Sequence, residues 1–414
     1  MSAKQGQSIP IWKRNLWVLS ISQFLAVTAI SIVLPFIPFF VRELGITDRR
    51  EVEIWSGLIF SGPFLAAALM SPVWGHLGDK HGYKPMVGRA IAALAVTQFL
   101  YVFVHTPVQM TTLRVVQGIV TGFIPASLAM TSASTPSPNL PGAMGTLYAS
   151  ASAGRLVGPA LGGLLAGFMS FRNIFLLVGT LTLIGCVIVF AQLQEPPRSV
   201  RPENPSPKAN LRRVGEDVRL QLALLGMFLS MSAIGMQFPV FPLYVEDLLH
   251  QKGNAAFYTG IGFAVVATFT LLTAPFLGKI SRRIGLKRSL VAALIICGVS
   301  LALHPLAHSI AAMLFMRALL GIGTAGIQPA LHSMVSRETP EGMRGGITGY
   351  ANSASIFGFF AGPLAGGWVA SHFGNRGVFE LSAAILFACA IGAALFAKRR
   401  GRQREIVPVP SPTG

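Results

Sequence analysis

The chain has 414 residues, of which 52% are hydrophobic and only 12% are charged. A soluble protein carries about 25% charged residues, so this composition excludes an ordinary soluble domain and predicts a membrane protein. The formal net charge of +18 does not indicate nucleic-acid binding, because the lysines and arginines lie in loops between long apolar stretches.

Twelve apolar stretches are long enough to cross a bilayer, since a helix needs about 20 apolar residues to do so. They lie near residues 15–41, 54–77, 85–104, 107–131, 142–168, 173–193, 220–246, 256–278, 288–304, 309–335, 345–371 and 376–397. We number them spans 1 to 12. The predicted fold is an all-α polytopic membrane protein with a six-helix bundle in 1–193, a cytoplasmic linker in 194–219 and a second six-helix bundle with a basic tail in 220–414.

The basic residues also predict the orientation. Of the 33 lysines and arginines, 24 lie in the termini, the linker and the loops on the same side, six lie in the opposite loops, and three lie within spans. Because cytoplasmic loops are enriched in lysine and arginine, we expect both termini and the Pro-, Arg- and Lys-rich linker to be cytoplasmic. The expected location is the inner or plasma membrane.

Span 1 contains polar but no acidic residues, namely Gln23, Thr28 and Ser31. None of the fifteen carboxylates of the chain falls at the predicted bilayer centre. A carboxylate in mid-membrane therefore cannot carry a proton here. The remaining candidates are Asp79, Glu43, Glu246, Glu380 and His332, whose imidazole has an ordinary pKa near 6.5. For His332 a hydrogen-bonded packing role remains the alternative.

The loop between spans 2 and 3 has a distinctive sequence. It contains Gly75, Asp79, Lys80, Gly82 and Lys84. Glycine permits a tight turn between closely packed helices. An aspartate at the membrane face can cap a helix N-terminus or pair with a basic residue, and so hold one conformation of a gate. A plain surface carboxylate is the alternative for Asp79.

Span 4 contains Arg114 within an apolar stretch. A buried arginine costs about 2.5–3.5 kcal/mol on insertion scales unless it finds partners. Two interpretations are open, a functional arginine and a structural one that ties spans 4 and 1 through backbone carbonyls.

Span 5 combines small residues with a proline and an arginine. Gly154, Gly158 and Gly162 recur every four residues and form a smooth surface for close helix packing. Pro159, between Gly158 and the pair Gly162–Gly163, bends the helix. Arg155 stands within this pattern, and with Arg114 and Arg317 it would make a cavity positive and favour an anionic or zwitterionic substrate.

The two halves repeat each other at an offset of 203 or 204 residues. Arg114 corresponds to Arg317, Gly82 to Gly285, and Gly158–Pro159 to Gly362–Pro363. A duplicated unit of six spans keeps its orientation, so the halves are related by an axis along the membrane normal. This arrangement places a substrate site between them near mid-membrane. Polar residues on apolar spans are the candidates to line that site: Gln23, Gln117, Tyr148, Gln237, Gln328 and Asn352.

These motifs resemble the major facilitator superfamily, specifically its twelve-helix drug:proton antiporter branch. The sequence as a whole is most similar to multidrug exporters of the MdtG type. The loop from Gly75 to Lys84 is similar to the cytoplasmic gating signature of the family, although Tyr83 replaces the usual arginine and Arg282 replaces Asp79 in the second half. The resemblance implies that Arg114 takes part in proton coupling. It also implies that the motif from Gly154 to Gly163 is the antiporter motif, which marks exporters.

The expected function is export of drug-like amphipathic molecules by proton antiport with alternating access. A dedicated exporter of an endogenous anionic metabolite, such as a siderophore, is the alternative. A membrane sensor or scaffold would carry large soluble domains or degraded gate motifs, and an enzyme would show a phosphate loop, a metal cluster or a nucleophile–base pair. The proton gradient is the expected energy source, with no cofactor and no metal. Expected partners are a small-molecule substrate and membrane lipid, with no nucleic acid, and the protein is expected to be a monomer.

Overall fold

The computed structural model describes residues 10–195, 207–250, 253–340 and 343–404, and this part of the chain folds into helices joined by short turns. The side chains at positions 72, 75, 76, 79, 137, 141, 207, 344, 345 and 396–404 lie outside this description. The same is true of 196–206 of the predicted linker and of 405–414 of the basic tail.

The first half contains the six predicted spans. Span 1 is formed by Ile11–Ile32 and Ile37–Glu43, span 2 by Arg49–His81, span 3 by Tyr83–Leu100, span 4 by Pro107–Val120 and Phe123–Ser134, span 5 by Leu140–Leu165 and span 6 by Phe171–Gln192. The break within span 4 lies at Thr121 and Gly122, where Gly122 has a φ of +103°. Glycine adopts this conformation without steric cost.

The second half repeats this order. Span 7 is formed by Val218–Met236 and Phe241–Leu248, span 8 by Ala255–Ile284, span 9 by Leu286–Leu303 and span 10 by Ile310–Glu338. Spans 11 and 12 form the continuous helix Arg344–Arg404, which bends at Gly374. Within the described residues, ten helical segments are long and apolar enough to cross a membrane. One of them, 346–395, contains two spans, and the less apolar Leu140–Leu165 completes the predicted twelve.

The end of the predicted linker contains a helix that the sequence analysis did not predict. Pro207–Glu216 is a helix. Arg212 pairs with Glu216 within it, and Arg213 pairs with Asp217 directly after it, each four residues apart. Asn210 on this linker helix is buried, against Gly346 at the start of span 11. The pairs at i,i+4 support a helix that has little apolar surface of its own.

Equivalent contacts recur in both halves. The backbone of span 5 packs on span 1 at Gly154, next to Phe24 and Thr28, and span 11 packs on span 7 at Gly358, next to Phe228 and Ser232. Each partner differs from its counterpart by 204 positions. The repeat found in the sequence is therefore also a repeat of packing contacts.

Candidate functional site

Among the described residues, close backbone contacts between the two halves lie toward one side of the molecule. We call the face that carries the linker helix the terminal face, and the opposite one the distal face. Near the distal face, a Cβ added to Gly57 of span 2 would lie 2.7 Å from the carbonyl oxygen of Pro363 in span 11, and one added to Gly163 of span 5 would lie 2.6 Å from that of Ala256 in span 8. Backbone thus meets backbone across the interface, which only small residues allow.

Ion pairs close the same face. Arg42 Nη1 lies 2.6 Å from Glu246 Oε1. Arg49 donates to both oxygens of Asp247, at 2.7 and 2.5 Å, and its Nε lies 3.3 Å from Oε1 of Glu53, which is only 3% exposed. Each arginine belongs to the first half, and Glu246 and Asp247 belong to the second.

Asn375 at the start of span 12 adds a hydrogen bond of 2.8 Å to Asp247. We call Arg42, Arg49, Glu53, Glu246, Asp247 and Asn375 the distal lock. The sequence placed the three carboxylates of this set away from the bilayer centre but did not predict their pairing. Pairing across some 200 residues leaves no local signal in a single sequence.

Toward the terminal face the halves separate. A Cβ on Gly142 or Gly145 in span 5, or on Gly349 in span 11, would have no neighbouring atom within 4 Å. Tyr148 is 56% exposed and Asn352 is exposed as well. A vestibule therefore opens between spans 5 and 11 and their neighbours on this side, while the distal face is shut.

Stacked phenyl rings lie where the halves come together. Phe64 of span 2 stacks on Phe359 of span 11 with ring centroids 5.7 Å apart, and Phe238 of span 7 stacks on both Phe359, at 6.2 Å, and Phe60, at 6.3 Å. This aromatic layer joins both halves. It presents an apolar, polarisable surface suited to the apolar part of a ligand.

Arg155 points toward this interface. At 100° per residue, positions 148, 152, 155, 159 and 163 share one face of span 5, and Gly163 and Pro159 on that face contact Gly260 of span 8. Arg155 is exposed and has no hydrogen bond or ion pair to another residue in the described ranges. It therefore places a free positive charge on the inter-half face, on the terminal side of the contact with span 8.

Arg114 forms a buried network within the first half. It is 4% exposed, donates to Gln117 Oε1 at 3.2 Å, and lies over the ring of Tyr101, directly after the last residue of span 3. The Tyr101 hydroxyl donates to the same oxygen at 2.8 Å. The structure thus links span 4 to span 3 and not, as the structural interpretation of Arg114 had it, to the carbonyls of span 1. Gln117 is committed to this network and does not line the vestibule.

Arg317 occupies the equivalent position in the second half and is 1% exposed. Its guanidinium lies 3.2 Å from the ring centroid of Phe241 and donates through Nη1 to Gln237 of span 7. Gln237 is therefore a buried partner of Arg317, and not an exposed wall of the vestibule as predicted.

Of the remaining residues predicted to line the substrate site or to carry protons, one is buried in helix packing and two are half-buried. Gln23 is buried and donates to the carbonyl of Leu147 at 3.0 Å, so it ties span 1 to span 5 and does not face a cavity. Gln328 is half-buried and its Nε2 lies 3.1 Å from the sulfur of Met231. His332 is half-buried toward the terminal end of span 10.

The span 5 motif packs as its spacing suggests. Cβ atoms on Gly154, Gly158 and Gly162 would collide with span 1, and one on Gly162 would overlap the carbonyl oxygen of Ile32. Gly163 instead faces span 8. One face of span 5 therefore packs against span 1 in its own half, and the adjacent face packs against span 8 in the other half.

At the loop between spans 2 and 3, the side-chain positions of Gly75 and Asp79 lie outside the described residues. Lys80 is exposed and Lys84 half-buried. Gly82 has a φ of +98°, which L side chains rarely adopt. Immediately after it, Glu195 accepts hydrogen bonds from the backbone N–H groups of Tyr83 and Lys84, both at 2.7 Å. This cap on span 3 comes from the end of span 6 and was not predicted.

Comparisons with known proteins agree with this architecture. The sequence profile of the Major Facilitator Superfamily matches residues 19–267 and 223–412. The chain is 32% identical over 388 residues to the "Multidrug resistance protein MdtG" of Salmonella paratyphi C (strain RKS4594), covering 92% of this chain and 95% of that protein. The likeness to MdtG noted in the sequence is thereby confirmed.

Solved structures share the fold at low sequence identity. A bacterial homolog of the human lysosomal transporter Spinster, in an inward-facing and occupied conformation, superimposes with a TM-score of 0.76 at 15% identity, over 94% of this chain and 98% of that one. The human organic anion transporter MFSD10 (TETRAN) gives 0.65 at 19% identity, over 93% and 100%. This chain, with twelve spans in two repeated halves, belongs to the Major Facilitator Superfamily.

Proposed function

We propose that the protein exports small amphipathic, drug-like molecules across the inner or plasma membrane in exchange for protons, by alternating access. The observation that carries the proposal is that the halves meet at the distal face and part at the terminal face, with an aromatic layer between them. The MdtG relatives, which are named multidrug resistance proteins, support the substrate class. The terminal face, where most basic residues lie, is the cytoplasmic one in this proposal.

Transport in liposomes tests the proton coupling. Purified protein reconstituted into acid-inside proteoliposomes should accumulate an amphipathic dye, because protons leaving down their gradient drive the dye inward. Adding a protonophore should return accumulation to the level of protein-free liposomes. Equal initial rates with and without the pH gradient would contradict proton coupling while leaving the transporter fold untouched.

A second candidate function is supported by Arg155. A guanidinium without an acidic partner on the inter-half face favours an anionic substrate, such as a metabolite made by the cell, over a lipophilic cation. Deleting the gene and comparing metabolites in medium and cytoplasm separates the two functions. Accumulation of one acidic metabolite inside the deletion strain supports the dedicated exporter, and sensitivity to many unrelated toxic compounds supports drug export.

Replacing Arg155 by alanine gives the residue-level test of that candidate. We expect transport of acidic substrates to fall about tenfold, which is the effect of losing one charge-assisted hydrogen bond, with neutral substrates changed less than about twofold. The measurement is initial uptake of a matched acidic and neutral pair in the same proteoliposomes. An equal loss for both would give Arg155 a structural role.

A further inference from the structure

A cavity of about 680 Å³ opens at the terminal end of spans 8, 9 and 10. Two arginines, Arg282 and Arg337, and three hydroxyls, from Ser281, Ser333 and Ser336, line it. Both arginines are exposed and neither has a hydrogen bond or ion pair to another residue of the described ranges. Apolar residues such as Leu277, Leu286 and Pro329 form the rest of its wall.

The repeat places bulkier side chains at the equivalent positions of the first half. At the offset of 203 residues, Trp74, Tyr83, Phe123 and Met130 stand where the cavity has Leu277, Leu286, Gly326 and Ser333. Phe123 and Met130 are buried in the core of the first half, and Tyr83 packs against that core. The small residues of the second half leave open the volume that their counterparts fill.

In the first half, the stacked side chains of Arg89 and Trp74 also occupy the region that corresponds to the cavity. The Arg89 guanidinium lies 3.4 Å from the ring centroid of Trp74 and donates to the carbonyls of Val120 and Thr121, and Trp74 donates to the carbonyl of Ile119 at 2.7 Å. Ala292 stands at the position of Arg89 in the second half. Spans 8, 9 and 10 therefore lack this bridge.

The charge of the site is reversed as well. Arg282 occupies the position of Asp79, and Arg337 that of Ser134. The sequence therefore has one acid at these two positions in the first half, whereas the second half carries two guanidinium groups that line the cavity. Guanidinium groups match the geometry of phosphate oxygens. The hydroxyls of Ser333 and Ser336 add further donors, whereas Ser281 donates to Ser289 at 2.8 Å.

We propose that this cavity binds a phosphate ester. The two arginines with Ser333 and Ser336 hold the phosphate, and the apolar wall covers the organic part, for which a volume of about 680 Å³ leaves room. The site lies at the end of the spans, where both a soluble phosphate ester and the headgroup of an anionic phospholipid can reach it. It is separate from the aromatic layer and from Arg155, so it does not depend on the proposed transport function.

Binding to the purified full chain in detergent tests the proposal. The probes are sn-glycerol 3-phosphate and short-chain phosphatidylglycerol, with phosphatidylcholine of equal chain length as the lipid control and sodium chloride at equal ionic strength as the salt control. A ligand that binds the folded state raises the midpoint of thermal unfolding with concentration, so the midpoint reports binding without any transport.

Three variants locate the binding. Arg282→Gln with Arg337→Gln should weaken binding by at least about tenfold, whereas Arg283→Gln, a neighbour that does not line the cavity, should change it less than about twofold. Ser333→Met refills the cavity with the first-half residue, keeps both arginines, and should weaken binding as the double variant does. Unliganded unfolding midpoints show whether each variant is folded.

Each outcome decides between possibilities. If both probes bind and the double variant binds neither, the site recognises the phosphate group itself. If only phosphatidylglycerol binds, the natural ligand is a phospholipid headgroup. The proposal is overturned if neither probe binds, if phosphatidylcholine binds equally, or if Arg283→Gln weakens binding as much as the double variant does.

Discussion

Glu195 connects segments that are far apart in the chain. Its carboxylate accepts two backbone hydrogen bonds at the start of span 3, directly after Gly82, although it follows span 6 by only a few residues. The first N–H groups of a helix have no partner within the helix, so this side chain satisfies two donors that would otherwise lack one. The turn after span 2 is thereby fixed by a residue more than a hundred positions away.

Replacing Glu195 by alanine should lower the stability of the first half. Loss of a helix cap costs about 0.5–2 kcal/mol, and we expect a lower midpoint of thermal unfolding in detergent. Glu216→Ala is the matched control, since Glu216 makes an exposed ion pair with Arg212. If both variants unfolded at the same temperature, the cap would contribute nothing measurable.

Gly162 shows how a single hydrogen atom in place of a side chain can decide packing. A Cβ at this position would overlap the Ile32 carbonyl oxygen, whereas one at Gly142 in the same helix would meet nothing within 4 Å. We expect Gly162→Ala to destabilise the protein by about 1–3 kcal/mol through overpacking and Gly142→Ala to change little. Thermal unfolding of the two variants checks this, and similar midpoints would mean that spans 1 and 5 adjust without cost.

Among single residues, the sequence identified the motif positions but not their partners. The spacing of Gly154, Gly158 and Gly162 is local information, and it predicted a packed helix face. Gln117 accepts hydrogen bonds from both Tyr101 and Arg114, and Gln237 accepts one from Arg317. A polar residue on an apolar helix can satisfy its hydrogen bonds either with buried partners or in a water-filled cavity. The sequence is compatible with both locations, and only the fold distinguishes them.

At the scale of elements, the distal lock holds the ends of spans 1 and 2 to the ends of span 7 and the start of span 12. It places charges of opposite sign face to face between the halves, and a transporter that alternates must break these contacts to open the distal face. The lock therefore contributes to the preference for the conformation described here.

Arg49→Ala should shift the equilibrium toward opening of the distal face. Asp247 then loses two hydrogen bonds, and Glu53 loses its partner. Spin labels on the distal ends of spans 2 and 7 should report a longer mean separation than in the unmutated protein. Arg50→Ala changes an exposed neighbour outside the distal lock and is the control. Equal mean label separations in both variants would show that the distal lock does not affect the equilibrium between the two conformations.

The helices themselves were well predicted because a lipid-spanning segment needs a long apolar run. The linker helix and the break in span 4 were not. The first has little apolar surface and depends on Asn210 packing against span 11. The second lies inside an apolar run, where hydropathy continues although the helix does not.

At the scale of the whole molecule, the repeat predicted two similar bundles related by an axis along the membrane normal, and equivalent packing contacts at an offset of 204 confirm the repeat. Which face is closed could not be predicted, since the same sequence must support both conformations during transport. The structure shows that the closing contacts combine small residues with the distal lock.

The interruption of span 4 has a consequence for how the two bundles deform. Thr121 and Gly122 leave the helical path, and a new helix begins at Phe123, whereas span 10 runs unbroken from Ile310 to Glu338. The first amide groups after such a break have no partner within their helix, so hydrogen–deuterium exchange should be faster at 122–124 than at 325–327. The N-terminal bundle would then bend within span 4 during transport, whereas the C-terminal bundle would move as a more rigid body. The two related bundles would therefore deform to different extents.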